Sequence, residues 1–220
     1  MSITELYFYA FAMFIFFLTP GPVWVVLLAR IFSNGWSGGL PLACGVIIAD
    51  FTWSFLAVIS ISSISEAVPS ITKTLTWVAA GFFLYLAIKL WLKPSYDLNN
   101  IKLSKVSSKL KFNSIYLESF MTGLLVNFSN PKAILFYISI MPGFFMLNQL
   151  TNTDAVIIAS ISALVPFIGN IILIALVSPV RQLMQSPSAQ KKLNQISSIL
   201  LLIVAVMILV LEGYFIKTQA

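Results

Sequence analysis

Histidine is absent from this chain of 220 residues, and cysteine occurs once, at Cys44. The absence of histidine excludes His-ligated metals, Ser-His-Asp triads and histidine proton relays. A single thiol excludes an internal disulfide and a cysteine metal cluster. These two absences leave little material for an enzyme active site, so we expect neither an enzyme nor a bound cofactor.

Charged residues are also scarce, at 9% of the chain, whereas apolar residues make up 59%. A soluble domain of this size cannot hide so many apolar side chains, so the sequence predicts a chain surrounded by lipid. The net charge of +6 would suit nucleic acid, but the basic residues cluster between apolar runs. Membrane topology explains that clustering better, and we expect no nucleic-acid partner.

Long apolar runs dominate what is present, and a membrane-spanning helix requires about 20 mostly apolar residues. The sequence predicts an all-α integral membrane protein, a single transmembrane domain over 1–220, with six spans at about 6–28, 40–62, 75–92, 115–141, 155–178 and 196–216. Ten of the 13 Lys and Arg residues fall in the loops after the first, third and fifth spans. The positive-inside rule places these loops in the cytoplasm and both termini on the opposite side.

Two of the spans carry a helix-breaking motif near their centre. Thr19-Pro20 and Asn130-Pro131 each place a capping residue before a proline, which is the pattern of a helix N-terminus. Thr19 lies about 20 Å along its span, so this helix start is predicted near the middle of the membrane.

The matching positions of the two breaks predict two inverted three-helix repeats, each with a broken first helix. The repeats are about 1–94 and 113–216, joined by a basic cytoplasmic loop at 95–112. Because the halves would have opposite orientation, the two breaks would face each other near the midplane. Inverted repeats with discontinuous helices are a transporter architecture in which substrate binds at the breaks.

A helix N-terminus carries unpaired N–H groups and a partial positive charge, and therefore attracts a carboxylate. Gly21 allows the backbone to approach a ligand closely. Unpaired N–H groups would be costly in hydrocarbon, so they are expected to line a wet cavity. The predicted substrate-binding residues are Thr19, Pro20, Gly21, Pro22, Asn127, Asn130, Pro131, Lys132 and Asn170. The alternative is that the prolines only kink packed helices and the asparagines only join helices by hydrogen bonds.

Asp50 and Lys132 are ionisable residues deep inside predicted spans. Such groups are candidate functional residues, because burial of a charge is costly unless the group is paired or wetted. Asp50 could exchange a proton during transport, pair with the ammonium of a substrate, or hydrogen-bond a neighbouring helix. Lys132 could meet a substrate carboxylate or pair with Asp50 or Glu118.

Five segments, in order along the chain, resemble the lysine-exporter / homoserine–threonine resistance (LysE/RhtB) family: FLTPGPVWVVL, NGWSGGLPLACGVIIAD, LTWVAAGFFLYLAIKLW, NFSNPKAILFYISIMPGFF and AQKKLNQISSILLL. The resemblance implies amino-acid export from a bacterial cytoplasm, coupled to an ion gradient, by a six-span inner-membrane protein. Residues 19–22 and 130–132 then fall on the two signature segments, and Asp50 on an acidic position of span 2. The fifth span departs from the family pattern, because it lacks an acidic residue and offers Asn170 instead.

The sequence therefore predicts a secondary transporter that exports an amino acid or a close analogue by proton antiport with alternating access. Its partners would be the amino acid, protons and the lipid bilayer, with both termini in the periplasm. One deep acid and one deep base favour a zwitterionic neutral amino acid over lysine or arginine. A channel or an exporter of another small solute or cation is the alternative, and an intramembrane enzyme is least favoured. Small residues such as Gly45 and Ala49 suit packing within or between subunits, so a homodimer is a candidate assembly.

Overall fold

The computed structural model describes residues 1–67, 70–92, 114–146, 149–176 and 186–219. Within these ranges the chain is helical and forms no strand. The helices are α1 (Ile3–Leu18), α2 (Pro22–Ala67), α3 (Ser70–Leu92), α4 (Ile115–Phe128), α5 (Pro131–Phe144), α6 (Asn152–Ala175) and α7 (Pro187–Gln219). The predicted basic loop 95–112 lies outside the described residues.

Several of the described helices are long and apolar enough to cross a membrane. Three satisfy this criterion individually, over Pro22–Ile64, Asn152–Ala175 and Pro187–Val210. The pair α4 and α5, bent by 54° at its break, adds a fourth if it is one span. The all-helical architecture with apolar helices agrees with a membrane protein, whereas six spans in two inverted repeats stay a prediction.

Gly35 reverses the chain inside α2. Its φ of 57° and ψ of −140° are not helical, and φ lies in the left-handed region that favours glycine. A Cβ built on Gly38 would lie 2.8 Å from the carbonyl oxygen of Arg30, although eight residues of straight helix would separate these positions by about 12 Å. The segment before Gly35 therefore packs directly against the segment after it, where the sequence predicted a loop.

A close helix crossing joins α2 to α4 at two glycines. A Cβ built on Gly45 would lie 2.1 Å from the carbonyl oxygen of Phe120, and one on Gly123 would lie 2.1 Å from that of Leu42. The two backbones are thus in contact, as is typical of small residues at membrane helix crossings. This crossing forms the most extensive helix pair in the structure.

An ion pair also ties α2 to α4. Arg30 Nη2 donates a hydrogen bond to Glu118 Oε1 at 2.6 Å, and the same nitrogen lies 3.4 Å from Thr122 Oγ1. Both charged side chains are largely buried. Arg30 is therefore the partner of Glu118, for which the sequence offered Lys132.

Both predicted helix breaks are present. α4 ends at Phe128 and α5 begins at Pro131, with the Asn130 side chain accepting from the N–H of Lys132 as an N-cap. This confirms the predicted start at Asn130.

The first break differs in detail, because Thr19 ends α1 as its C-cap and the next helix begins at Pro22. The residue before a proline is steered away from helical angles, so Thr19 before Pro20 and Gly21 before Pro22 delay the helix start.

We predict that Gly45→Ala and Gly123→Ala each destabilise the protein, whereas Gly81→Ala does not. At the crossing, an added methyl meets backbone atoms that cannot rotate away, and overpacking of this kind costs about 1–3 kcal/mol or more. Gly81 lies in α3, and a Cβ built there meets nothing within 4 Å. Thermal unfolding in detergent micelles measures the difference. Equal melting temperatures for all three variants would contradict this close crossing.

Candidate functional site

The first helix break frees three consecutive backbone carbonyl groups at the end of α1, and side chains from other helices bind all three. The donors are Trp24 Nε1 to Phe17 at 2.7 Å, Ser197 Oγ to Leu18 at 3.2 Å and Lys132 Nζ to Thr19 at 2.9 Å. The C-terminal carbonyls of a helix have no partner within the helix, and leaving them unpaired in an apolar interior would be costly. The break is therefore a junction of α1 with α2, α5 and α7.

Lys132 joins the two breaks directly. It is the second residue of α5, and its ammonium group binds the carbonyl oxygen of Thr19 in the other break. The same ammonium lies 4.4 Å from the ring centroid of Phe16, which is a cation–π distance. A Cβ built on Gly21 would lie 3.6 Å from Lys132 Cδ, so the glycine of the first break also borders this side chain.

A cavity with about 50 Å³ of free space lies at this junction and is called the central cavity below. Its polar lining consists of Thr19, Gly21, Asp50, Asn127, Asn130, Lys132 and Asn170. Its apolar lining consists of Phe16, Phe17, Val23, Trp24, Val46 and Pro166. The structure thus brings seven of the predicted site residues, from the two breaks and four helices, to one cavity.

The three predicted prolines line a different space. A side cavity with about 220 Å³ of free space lies between the two breaks and α3. It is bounded by Pro20, Pro22, Pro131, Leu86, Lys89 and Leu90, and it shares Thr19, Gly21, Asn130 and Lys132 with the central cavity. The side chain of Lys132 therefore borders both spaces.

Asp50 is held by neutral donors from two other helices. Its Oδ1 accepts from Asn127 Nδ2 of α4 at 2.7 Å and from the Tyr137 hydroxyl of α5 at 2.8 Å. The Asn127 amide also donates to the carbonyl oxygen of Val46 at 3.1 Å, one turn before Asp50. Asp50 is 4% exposed, so these bonds replace water around a buried carboxyl group.

Asn170 contributes an acceptor that has no hydrogen-bond donor in the structure. Its Oδ1 is buried and without a partner, and the residue as a whole is 1% exposed. A buried acceptor left unpaired costs about 1–3 kcal/mol, so the position calls for water or a ligand. The unpaired oxygen belongs to a residue that lines the central cavity.

A second buried polar cluster lies one helical turn from Asp50. Ser162 Oγ of α6 lies 2.6 Å from Ser54 Oγ and 2.5 Å from the Tyr9 hydroxyl of α1. These contacts join three helices beside the site. Among the described residues, no three acidic or thiol side chains come together as a metal site.

Sequence reasoning missed several residues of the site. Tyr137 was overlooked. The available signal was its hydroxyl group, which is a polar group inside a predicted span. Phe16 and Phe17 directly precede the first break and form one wall of the cavity. Trp24 also lines the cavity.

The model of the LysE type translocator family matches residues 14–212. The chain belongs to this family. The resemblance inferred from the five sequence segments is thereby confirmed, and the protein is a multi-pass membrane protein of a translocator family.

Among the relatives of this LysE-type protein is the uncharacterized membrane protein YrhP of Bacillus subtilis, 25% identical over 185 residues, which cover 84% of this chain and 88% of that protein. A leucine efflux protein of Salmonella typhimurium is 30% identical over 122 residues, covering 56% of this chain and 54% of that protein. The match thus spans about half the length of the leucine efflux protein. No solved structure matches the chain.

We predict that Trp24→Phe destabilises this LysE-type protein by about 1–3 kcal/mol, because the Phe17 carbonyl loses its donor in a buried site. Trp36→Phe is the matched control, since Trp36 is 53% exposed and the same atoms are removed at the surface. Unfolding in detergent micelles measures both variants. Equal losses of stability would show that the indole N–H contributes nothing at the break.

Proposed function

We propose that the protein exports a neutral amino acid from the bacterial cytoplasm in exchange for protons, and that the substrate binds in the central cavity. One observation carries the proposal: a single cavity between two broken helices combines one ammonium donor with two buried acceptors. Lys132 supplies the donor, and Asp50 and Asn170 supply the acceptors. This arrangement complements the two charged ends of a zwitterion.

The carboxylate of the substrate binds at the helix starts. Lys132 provides positive charge there, and the starts of α2 and α5 add the partial positive charge of a helix N-terminus. Gly21 keeps the backbone accessible beside Lys132. When the carboxylate arrives, the Lys132 ammonium exchanges the Thr19 carbonyl for the stronger, charge-assisted partner.

The ammonium of the substrate binds near Asp50 and Asn170. An ionised carboxylate offers about four acceptor positions, and the two bonds from Asn127 and Tyr137 leave capacity for an ammonium group. The unpaired Oδ1 of Asn170 is a second acceptor in the same cavity. A proton and the substrate ammonium then compete for Asp50. Proton exchange and ammonium binding, both considered for this residue, become two steps of one exchange cycle.

The side chain of the substrate packs against the apolar wall of the cavity, formed by Phe16, Phe17, Val23, Trp24 and Val46. This wall carries no charge, which favours an apolar side chain over that of lysine or arginine. The relative named as a leucine efflux protein supports the same choice. Leucine is therefore the first substrate to test.

Transport proceeds by alternating access, with six spans arranged as the repeats 1–94 and 113–216. Each repeat contributes one broken helix to the central cavity, which supports a site at the interface between the two halves. The protein lies in the inner membrane with both termini in the periplasm, as the distribution of basic residues favours. A homodimer is the proposed assembly, and each subunit contains a complete site.

Counter-flow in proteoliposomes tests this function. Vesicles containing purified protein are loaded with unlabelled leucine, and uptake of labelled leucine, threonine, lysine and glutamate is followed with and without a pH gradient. We expect saturable uptake of leucine that the gradient increases. We expect no comparable uptake of lysine or glutamate, because the cavity wall offers no partner for a second charge. Folded protein that moves no amino acid would overturn the proposal.

Asp50→Asn tests the coupling role in the same vesicles. The variant keeps the size of the side chain and one acceptor oxygen but loses the charge and the exchangeable proton, so leucine exchange persists with weaker apparent affinity while the effect of the pH gradient is lost. Asp154→Asn is the matched control, because Asp154 caps the start of α6 and does not line the central cavity. Gradient-driven uptake that survives in Asp50→Asn would remove Asp50 from the coupling step.

A further inference from the structure

Gly169 of α6 has a phenylalanine ring lying directly against its backbone. A Cβ built on Gly169 would lie 2.4 Å from Cε1, 2.6 Å from Cζ and 2.7 Å from Cδ1 of Phe17. Real Cβ atoms essentially never approach other atoms this closely, so any side chain at this position would displace the ring. The space that Phe17 occupies exists because residue 169 has no side chain.

The Phe17 ring is also part of the wall of the central cavity. Pro166 and Asn170, the neighbours of Gly169 along α6, line the same cavity. The ring therefore fills the space between the α6 backbone and the cavity. The Phe17 ring also contacts the Trp24 ring, with ring centroids 5.6 Å apart.

The backbone of Phe17 is fixed, so only its side chain can yield. The Trp24 indole donates to the Phe17 carbonyl oxygen at 2.7 Å, and the next residue ends α1. A ring pushed from Gly169 must rotate about its side-chain bonds toward Trp24 and the cavity. The free volume of the cavity would then shrink.

We propose that Gly169 is a specificity-determining residue, which selects amino acids with large apolar side chains by letting the Phe17 ring withdraw from the cavity. This inference rests on the proposed function, because it concerns the size of the substrate that the cavity accepts. Gly169 does not itself line the central cavity, so it acts on the size of the accepted substrate through the Phe17 ring. The experiment below therefore measures the preference between large and small amino acids, whereas the proposed function depends on whether any amino acid is transported.

Gly169→Ala tests the inference through the ratio of affinities for leucine and alanine in counter-flow. We expect the apparent affinity for leucine to fall about tenfold while that for alanine stays nearly constant, since one methylene in an apolar pocket changes discrimination by about 10-fold to 200-fold. Equal losses for both amino acids would overturn the inference. Absence of transport by wild type would instead overturn the proposed function.

Phe17→Leu provides the complementary variant. In the Gly169→Ala background it removes the displaced ring, so leucine affinity returns toward the wild-type value. Alone it enlarges the cavity and raises the affinity for phenylalanine relative to alanine. The single variant keeps the inference testable if Gly169→Ala does not fold, because an unchanged size preference in Phe17→Leu would also overturn it.

Gly39→Ala is the matched control for added bulk. A Cβ on Gly39 would lie 2.9 Å from Ile31 Cγ1 and 3.1 Å from Ile174 Cγ1, so this methyl also crowds the contact between α2 and α6. Gly39 does not line the central cavity. We expect its substitution to lower the melting temperature without changing the ratio of leucine to alanine affinity. A change in that ratio equal to the change in Gly169→Ala would assign the effect to general loosening and overturn the inference.

Discussion

The structure depends on how an apolar interior satisfies the backbone carbonyl groups that the first helix break sets free. Lipid offers no hydrogen-bond donor, so a helix can end inside the membrane only where the protein supplies donors itself. Trp24, Ser197 and Lys132 supply them from three different helices. The break is consequently the point where these helices are joined, and two of the three donors, Trp24 and Lys132, also line the central cavity.

The second requirement is the close crossing of α2 and α4. Gly45 and Gly123 bring the two backbones into contact, and about one turn further along these helices Asp50 and Asn127 meet in a hydrogen bond. Bulkier residues at the crossing would separate the helices and lengthen that bond. Packing of small residues therefore sets the geometry of a buried carboxyl group, which connects the fold to the chemistry of the site.

The sequence predicted those parts of the site whose chemistry is local. A proline, an asparagine or a charge inside an apolar run is out of place whatever the tertiary structure, and Asp50, Asn130 and Lys132 were found in this way. Contacts between distant segments could not be predicted, because the sequence of one helix does not determine its position relative to a second helix. Tyr137 beside Asp50 and Phe17 over Gly169 are of this second kind.

The central claim is that the two breaks together form one substrate site, and cysteine protection tests it most directly. In a Cys44→Ser background, Val23→Cys places a thiol in the central cavity, and Val25→Cys on the same helix is the control outside it. The account predicts that a small thiol reagent modifies Cys at position 23 and that leucine slows this modification saturably, with no such protection at position 25. Equal modification at position 23 with and without each neutral amino acid would contradict it.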